Sequence, residues 1–177
     1  MARAVVVVES MFGNTEAVAH AVAEGLSDQF TVDVVRVADA PAVMTNDVDL
    51  LVVGGPTHAF GLTREGTRLA ARDQGAKPST GVEVGLREWL GGLQPHSKAL
   101  AAAAFDTRIK KTGVPGSAAR GAMRRLRRLG FRTAARPTSF YVARIAGPLL
   151  DGELTRARGW GTHLATSAAA GQLPTQP

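Results

Sequence analysis

Ser10-Met11-Phe12-Gly13-Asn14-Thr15 follows the β-branched run Val5 to Val8, and Gly54-Gly55-Pro56-Thr57-His58-Ala59-Phe60-Gly61 follows Leu50 to Val53. Each stretch leaves an apolar strand pattern and leads toward a helical one. Open parallel sheets bind ligands there, at the carboxyl ends of their strands. Taken together, the two stretches say more than either alone.

Outward from this pair, strand and helix patterns alternate. Ala4 to Val8 is a continuous apolar run suited to a strand covered on both faces. Asn14 to Gln29 carries Ala17, Val18, Ala21, Val22 and Leu26 at helical spacing, with Gly25 weakening the last turn. Thr31 to Val37 reads as a second strand, Ala38 to Asn46 with Pro41 as a short, poor helix, and Asp49 to Gly55 as a third strand. A helix over Arg64 to Arg72 is followed by a loop from Gln74 to Thr80. Thr80 with Glu83 forms a capping-box pattern ahead of the apolar face Val82, Leu86, Trp89, Leu90 and Leu93. Ala99 to Phe105 reads as the fourth strand, Arg108 to Ser117 as loop and Ala118 to Leu129 as helix. Ser139 to Ala143 makes a fifth strand and Glu153 to Ala165 the last helix. Thr166 to Pro177 is small, polar and Pro-ended, and reads as a frayed tail.

This alternation predicts an α/β domain over residues 1–165, with a five-stranded parallel sheet and helices on both faces, because parallel neighbours need crossover connections. Five strands suit the doubly wound order 2-1-3-4-5, whose switch point lies between the first and third strands. Those strands carry the two opening stretches, so the order predicts one crevice between them.

Composition narrows the chemistry. The chain of 177 residues is 45% hydrophobic and 20% charged, enough for one filled core and too short for two ordinary domains. It has no cysteine, which excludes disulfides, thiolate metal sites and thiol nucleophiles. His20, His58, His96 and His163 are scattered, without a pair at metal-ligand spacing. No signal peptide and no membrane-spanning apolar stretch is visible, so a cytoplasmic location is expected.

The net charge of +6 is a local property. Arg108, Lys110, Lys111, Arg120, Arg124, Arg125, Arg127, Arg128, Arg132 and Arg136 face a single acid, Asp106, in the same segment. Of 21 basic and 15 acidic residues, that leaves 11 and 14 elsewhere, a net −3.

In the first stretch Ser10, Asn14 and Thr15 supply side-chain donors, and Gly13 lets the backbone turn near a ligand. The following helix directs its free N–H groups into the same space. Such a nest attracts a phosphate without Lys or Arg. Neither the Gly-Lys-Ser/Thr ending of a nucleotide triphosphatase loop nor a G-x-G-x-x-G fingerprint is present. A tight turn with a capped helix is the plain alternative. In the second stretch Gly54-Gly55-Pro56 thins and stiffens the backbone, and His58 and Phe60 are flat side chains where a loop is normally polar. A planar ring lying against that backbone would use both features. A solvent-facing His58 and a Phe60 that plugs the third helix are the alternatives.

With these residues the chain resembles the flavodoxin-like FMN-binding family over roughly Ala2 to Ala165. Ser10 to Thr15 resembles its phosphate loop, and Gly55-Pro56-Thr57-His58 its first isoalloxazine loop. The resemblance implies that Ser10, Gly13, Asn14 and Thr15 hold the FMN phosphate and that Pro56, Thr57 and His58 line the ring, with Met11, Phe12, Phe60 and Gly61 also among the cofactor-binding residues. It implies a third loop, Phe105-Asp106-Thr107-Arg108, near the ribityl chain or the pyrimidine edge. The chain departs from the family pattern in having no aromatic from Asp106 to Gly121 and in being basic there.

Arg120, Arg124, Arg127 and Arg128 fall on one helical stripe, with Arg125 beside it. That stripe is either a solvated face or a docking site for an acidic redox partner. Nucleic acid is disfavoured because no aromatic is interleaved and no recognised binding module is present. The resemblance implies an FMN-binding protein supporting electron transfer. A small FMN-dependent NAD(P)H:quinone-type oxidoreductase, and a binding module that has lost the flavin, are the alternatives. No residue reads as an obligatory acid, base or nucleophile.

Overall fold

The computed structural model describes residues 1–77, 82–96, 100–110 and 115–170. In chain order the elements are β1 (Ala2–Val8), α1 (Asn14–Leu26), β2 (Phe30–Arg36), β3 (Leu50–Pro56), α2 (Glu65–Asp73), α3 (Leu86–Gly92), β4 (Ala101–Ile109), α4 (Ala118–Arg128), β5 (Arg132–Thr133), β6 (Thr138–Val142) and α5 (Glu153–Ala170). The strands form one parallel sheet in the order β2-β1-β3-β4-β5, with β6 also paired to β4. The order is the doubly wound one expected, and β5 and β6 together fill its fifth place. Arg132 and Thr133 pair with Ala101 and Ala102, whereas Thr138 to Val142 pair with Phe105 to Ile109.

Strand side chains alternate between two faces. Val5, Val7, Leu51, Val53, Ala102 and Ala104 meet α3 and α4 through Leu86, Leu90, Met123 and Leu126. Ala4, Val6, Val8, Leu50, Val52, Ala101 and Ala103 meet α1 and α5 through Val18, Val22, Leu26, Ala157 and Leu164. The continuous apolar runs of β1 and β3 are thus covered on both sides, giving the three-layer sandwich.

Gly25 has a packing reason beyond its cost in the helix. A Cβ on Gly25 would lie 2.0 Å from the Arg158 carbonyl oxygen, and one on Gly161 would lie 2.3 Å from that of Val22. The two glycines let the backbones of α1 and α5 touch, which offsets the roughly 1 kcal/mol a mid-helix glycine gives up relative to alanine.

Four segments differ from the sequence expectation. Ala38 to Asn46 forms turns and an isolated bridge between Val43 and Gln94 in place of a helix. Its backbone pairs outward, Met44 N–H donating to Gln94 O at 3.0 Å and Gln94 N–H to Ala42 O at 2.8 Å. The helix expected from Val82 begins at Leu86, because the carbonyls of Val82 and Glu83 accept from Arg68 at 2.6 and 3.2 Å. β4 runs on to Ile109, so Phe105 to Arg108 is strand where a loop was expected. The last helix continues to Ala170, burying Ala168, since its alanine-rich end favours helix. The Thr80 cap, Ala99, Lys111 and the tail from 171 to 177 lie outside the described residues.

Candidate functional site

At the carboxyl ends of β1, β3 and β4 lies an open cavity of about 290 Å³. Of the residues marked out by sequence, Met11, Phe12, Asn14, Thr15, Pro56, Thr57, His58, Thr107 and Arg108 line it. Ser10, Gly13, Phe60, Gly61, Phe105 and Asp106 do not.

Ser10 builds the first loop from behind. Its buried hydroxyl accepts from Gly13 N–H at 3.1 Å and from Glu16 N–H at 3.3 Å. Gly13 holds φ 87°, the left-handed conformation a side chain would strain, and starts α1. The backbone N–H groups of Asn14 and Thr15 have no protein acceptor among the described residues. They are the free donors of a helix start, suited to an anion. Thr15 Oγ1 lies 2.7 Å from Thr107 Oγ1, joining the start of α1 to β4. Asn14 donates through Nδ2 to Ala146 O at 3.1 Å, which ties the β6–α5 connection to this loop. Met11 packs on Ala71 and Ala76, so α2 and its following turn close the loop's far side.

The second loop is a four-residue turn. His58 and Gly61 exchange backbone hydrogen bonds of 3.0 Å each, with Ala59 at φ 44° and Phe60 at φ 71° between them. Positive φ at two residues bearing side chains costs on the order of 1 kcal/mol each. His58 and Ala59 line the cavity, while Phe60 and Gly61 face a separate groove. Phe60 is therefore across the turn from the cavity, not inside it. Burial pushes the His58 imidazole below its ordinary pKa, with the Thr67 backbone acting the other way.

Phe105 and Asp106 are interior. The Phe105 ring stacks edge-on with Phe140 and Trp160, at centroid distances of 6.0 and 6.1 Å. Asp106 Oδ2 accepts from Thr57 Oγ1 at 2.9 Å, from Ala119 N–H at 3.0 Å and from the Ser117 hydroxyl. Thr57 Oγ1 in turn accepts from Ala118 N–H at 2.8 Å. Asp106 thus fastens the second loop to the start of α4. Among the described residues its Oδ1 is buried without a hydrogen-bond partner.

Sequence reasoning missed the cavity's apolar rim and the polar cluster behind the loops. Ala70 and Ala71 of α2, Ile109, Val142 and Ile145 line the cavity. Ile109 and Ile145 are apolar residues at loop-like positions, a signal that was present but weak. Behind the second loop, Glu9 is fully buried and accepts from the Thr63 hydroxyl and, at 2.8 Å, from Leu86 N–H at the start of α3. Burial raises the Glu9 carboxyl above its ordinary pKa, with Thr63, Leu86 and Arg68 acting the other way. Arg68, also fully buried, reaches Thr63 Oγ1 at 3.0 Å and Glu88 at 3.2 Å.

A flavodoxin family model matches residues 6–135, and the chain belongs to the flavodoxin family. Among solved structures, an archaeal flavodoxin is similar at 18% identity and a TM-score of 0.65, over 94% of this chain and 99% of that one. Flavodoxin 1 from Bacillus cereus gives 17% identity and a TM-score of 0.65, over 93% and 97%. Rubredoxin oxygen:oxidoreductase from Desulfovibrio gigas gives 18% and 0.65 over 98% of this chain, which spans 38% of that protein. No curated protein matches the sequence. Among the described residues no helix is long and apolar enough to cross a membrane.

Proposed function

We propose that this protein binds FMN in the cavity at the sheet's carboxyl edge and serves in electron transfer. The observation that carries this reading is the placement of the Asn14 and Thr15 backbone N–H groups, unpaired among the described residues, beside an open, largely apolar cavity. A phosphate suits the first and a flat ring the second. The residues present fit both parts. Asn14 and Thr15 would hold the phosphate, with Gly13 keeping the backbone close and Ser10 bracing the turn. Pro56, Thr57 and His58 would lie along the ring, with Met11 and Ala71 excluding water behind the loop.

When bound, the flavin supplies the redox chemistry; the chain supplies position and electrostatics. The Thr57–Asp106–Ser117 hydrogen bonds keep the ring-side loop in register with α4. Burial of the His58 imidazole disfavours a positive charge at that side of the cavity.

The reading is tested by mixing purified protein with FMN and following flavin fluorescence, then desalting and recording the visible spectrum. Quenching with a retained flavin band supports it. A colourless protein and unquenched flavin would favour the flavin-free binding module. Steady-state NAD(P)H oxidation with a quinone, without an added reductase, separates the oxidoreductase alternative from a carrier.

A further inference from the structure

We propose that the groove bounded by Phe60, Arg87 and the arginines of α4 docks an acidic segment of a partner protein. The groove encloses about 410 Å³, and Arg120, Arg124, Arg125 and Arg128 line it with Arg87 and Phe60. This differs from the stripe read from sequence. Arg127 donates to Thr133 Oγ1 at 3.0 Å and does not line the groove, while Arg125 and Arg87 do.

Charge in the groove is of one sign. Among the described residues, none of the four α4 arginines forms an ion pair with a carboxylate. Glu88, the carboxylate next to Arg87 in sequence, is occupied by Arg68 at 3.2 Å and by Gly85 N–H at 2.9 Å. Arg87 is held in place by the carbonyls of Thr63 and Leu62 at 2.9 and 2.6 Å. Burial and repulsion from Arg125 and Arg64 push its pKa down, with Glu88 acting the other way. A partner's carboxylates would relieve that repulsion and meet guanidinium forks that pair with them in bidentate fashion.

The apolar part of the groove argues for a protein partner. Phe60 is 62% exposed at its mouth, and buried Leu62 forms part of the wall. Gly116 fits so closely under the turn that a Cβ there would lie 2.0 Å from the Phe60 carbonyl oxygen. An aromatic anchor held by a fixed turn and ringed by arginines has the composition of an interface hot spot. A nucleic acid would be tracked by a longer basic stripe with several stacking rings. Here the chain outside the 105–136 segment is net acidic, with 11 basic and 14 acidic residues.

The groove and the flavin cavity lie on opposite sides of the His58–Gly61 turn, but docking itself does not require the flavin. The experiment follows the fluorescence anisotropy of a labelled peptide of alternating glutamate and leucine, at low and physiological salt, with and without FMN. Binding is expected in both flavin conditions and is expected to weaken as salt rises. Arg124→Glu with Arg128→Glu should weaken binding about tenfold or more, and Phe60→Ser about threefold or more. The charge-matched pair Arg127→Glu with Arg132→Glu, off the groove, should change it less than about twofold. Equal loss in both double variants would overturn the proposal, as would no binding by the unmodified protein. Tighter binding of a single-stranded oligonucleotide of the same charge, lost in the groove variant, would overturn it in favour of nucleic acid.

Discussion

The Thr57 hydroxyl donates to Asp106 Oδ2 at 2.9 Å while accepting from Ala118 N–H at 2.8 Å, so one side chain joins β3, β4 and the first residue of α4. Asp106 completes the knot by accepting from Ser117 and Ala119. Three donors thus converge on Asp106 Oδ2, and neither carboxylate oxygen is open to solvent.

Removing that acceptor should be costly. Asp106→Ala leaves the Ser117 hydroxyl and Ala119 N–H unpaired in the interior and should reduce stability by about 2 to 4 kcal/mol. Urea denaturation of both proteins measures it. A loss below about 0.5 kcal/mol would mean that other contacts hold α4 to the loop.

The helix pair gives an inverted expectation. Alanine is normally the better helix former, yet Gly161→Ala should destabilise by roughly 2 kcal/mol or more, because its Cβ would lie 2.3 Å from the Val22 carbonyl oxygen. Gly159→Ala, on the same helix with nothing near its Cβ, should instead stabilise by about 0.5 to 1 kcal/mol. Thermal melts of the two variants check the contrast. The same sign in both would remove the close contact of α1 with α5.

Much of this architecture was legible in the sequence because strand runs such as Val5 to Val8 and Leu50 to Val53 are apolar on both faces, a pattern few other elements share. The first loop was legible for the same local reason. Gly13 supplies a turn conformation that its neighbours reveal, and Asn14 and Thr15 begin a helix. The interior positions of Phe105 and Asp106 were not legible, since an aromatic beside a carboxylate reads as a loop until Phe140, Trp160 and Ser117 are placed around them. Arg68 was hidden in the same way. An arginine in an amphipathic helix reads as solvent-facing, and only the folded arrangement supplies the Val82, Glu83, Thr63 and Glu88 acceptors that let it be buried. The direction of Phe60 depends on a turn with two positive φ values that no glycine announces.

His58 should make the protein acid-sensitive. Its folded pKa lies below the ordinary value of 6.5, so the unfolded chain binds the extra proton first. The contribution to stability is full above about pH 6.5 and is lost as the pH falls toward the folded value. Urea midpoints across this range, compared with His58→Gln, should differ in slope between pH 7.5 and 5, the variant being flatter. Parallel profiles would show that the imidazole is solvated in the folded protein. An NMR titration of the ring protons gives the folded pKa independently.

The central claim is that the Asn14–Thr15 helix start holds a phosphate while the adjoining cavity takes the ring, and flavin titration by fluorescence quenching tests it most directly. Charge-assisted hydrogen bonds are worth about 1.5 to 3 kcal/mol each, so two amides should make FMN bind roughly a hundredfold or more tighter than riboflavin. Thr15→Val should weaken FMN more than riboflavin, because it removes a hydroxyl at the phosphate end and with it the bond to Thr107 Oγ1 that braces the helix start. Equal affinities for FMN and riboflavin in the unmodified protein would contradict the account.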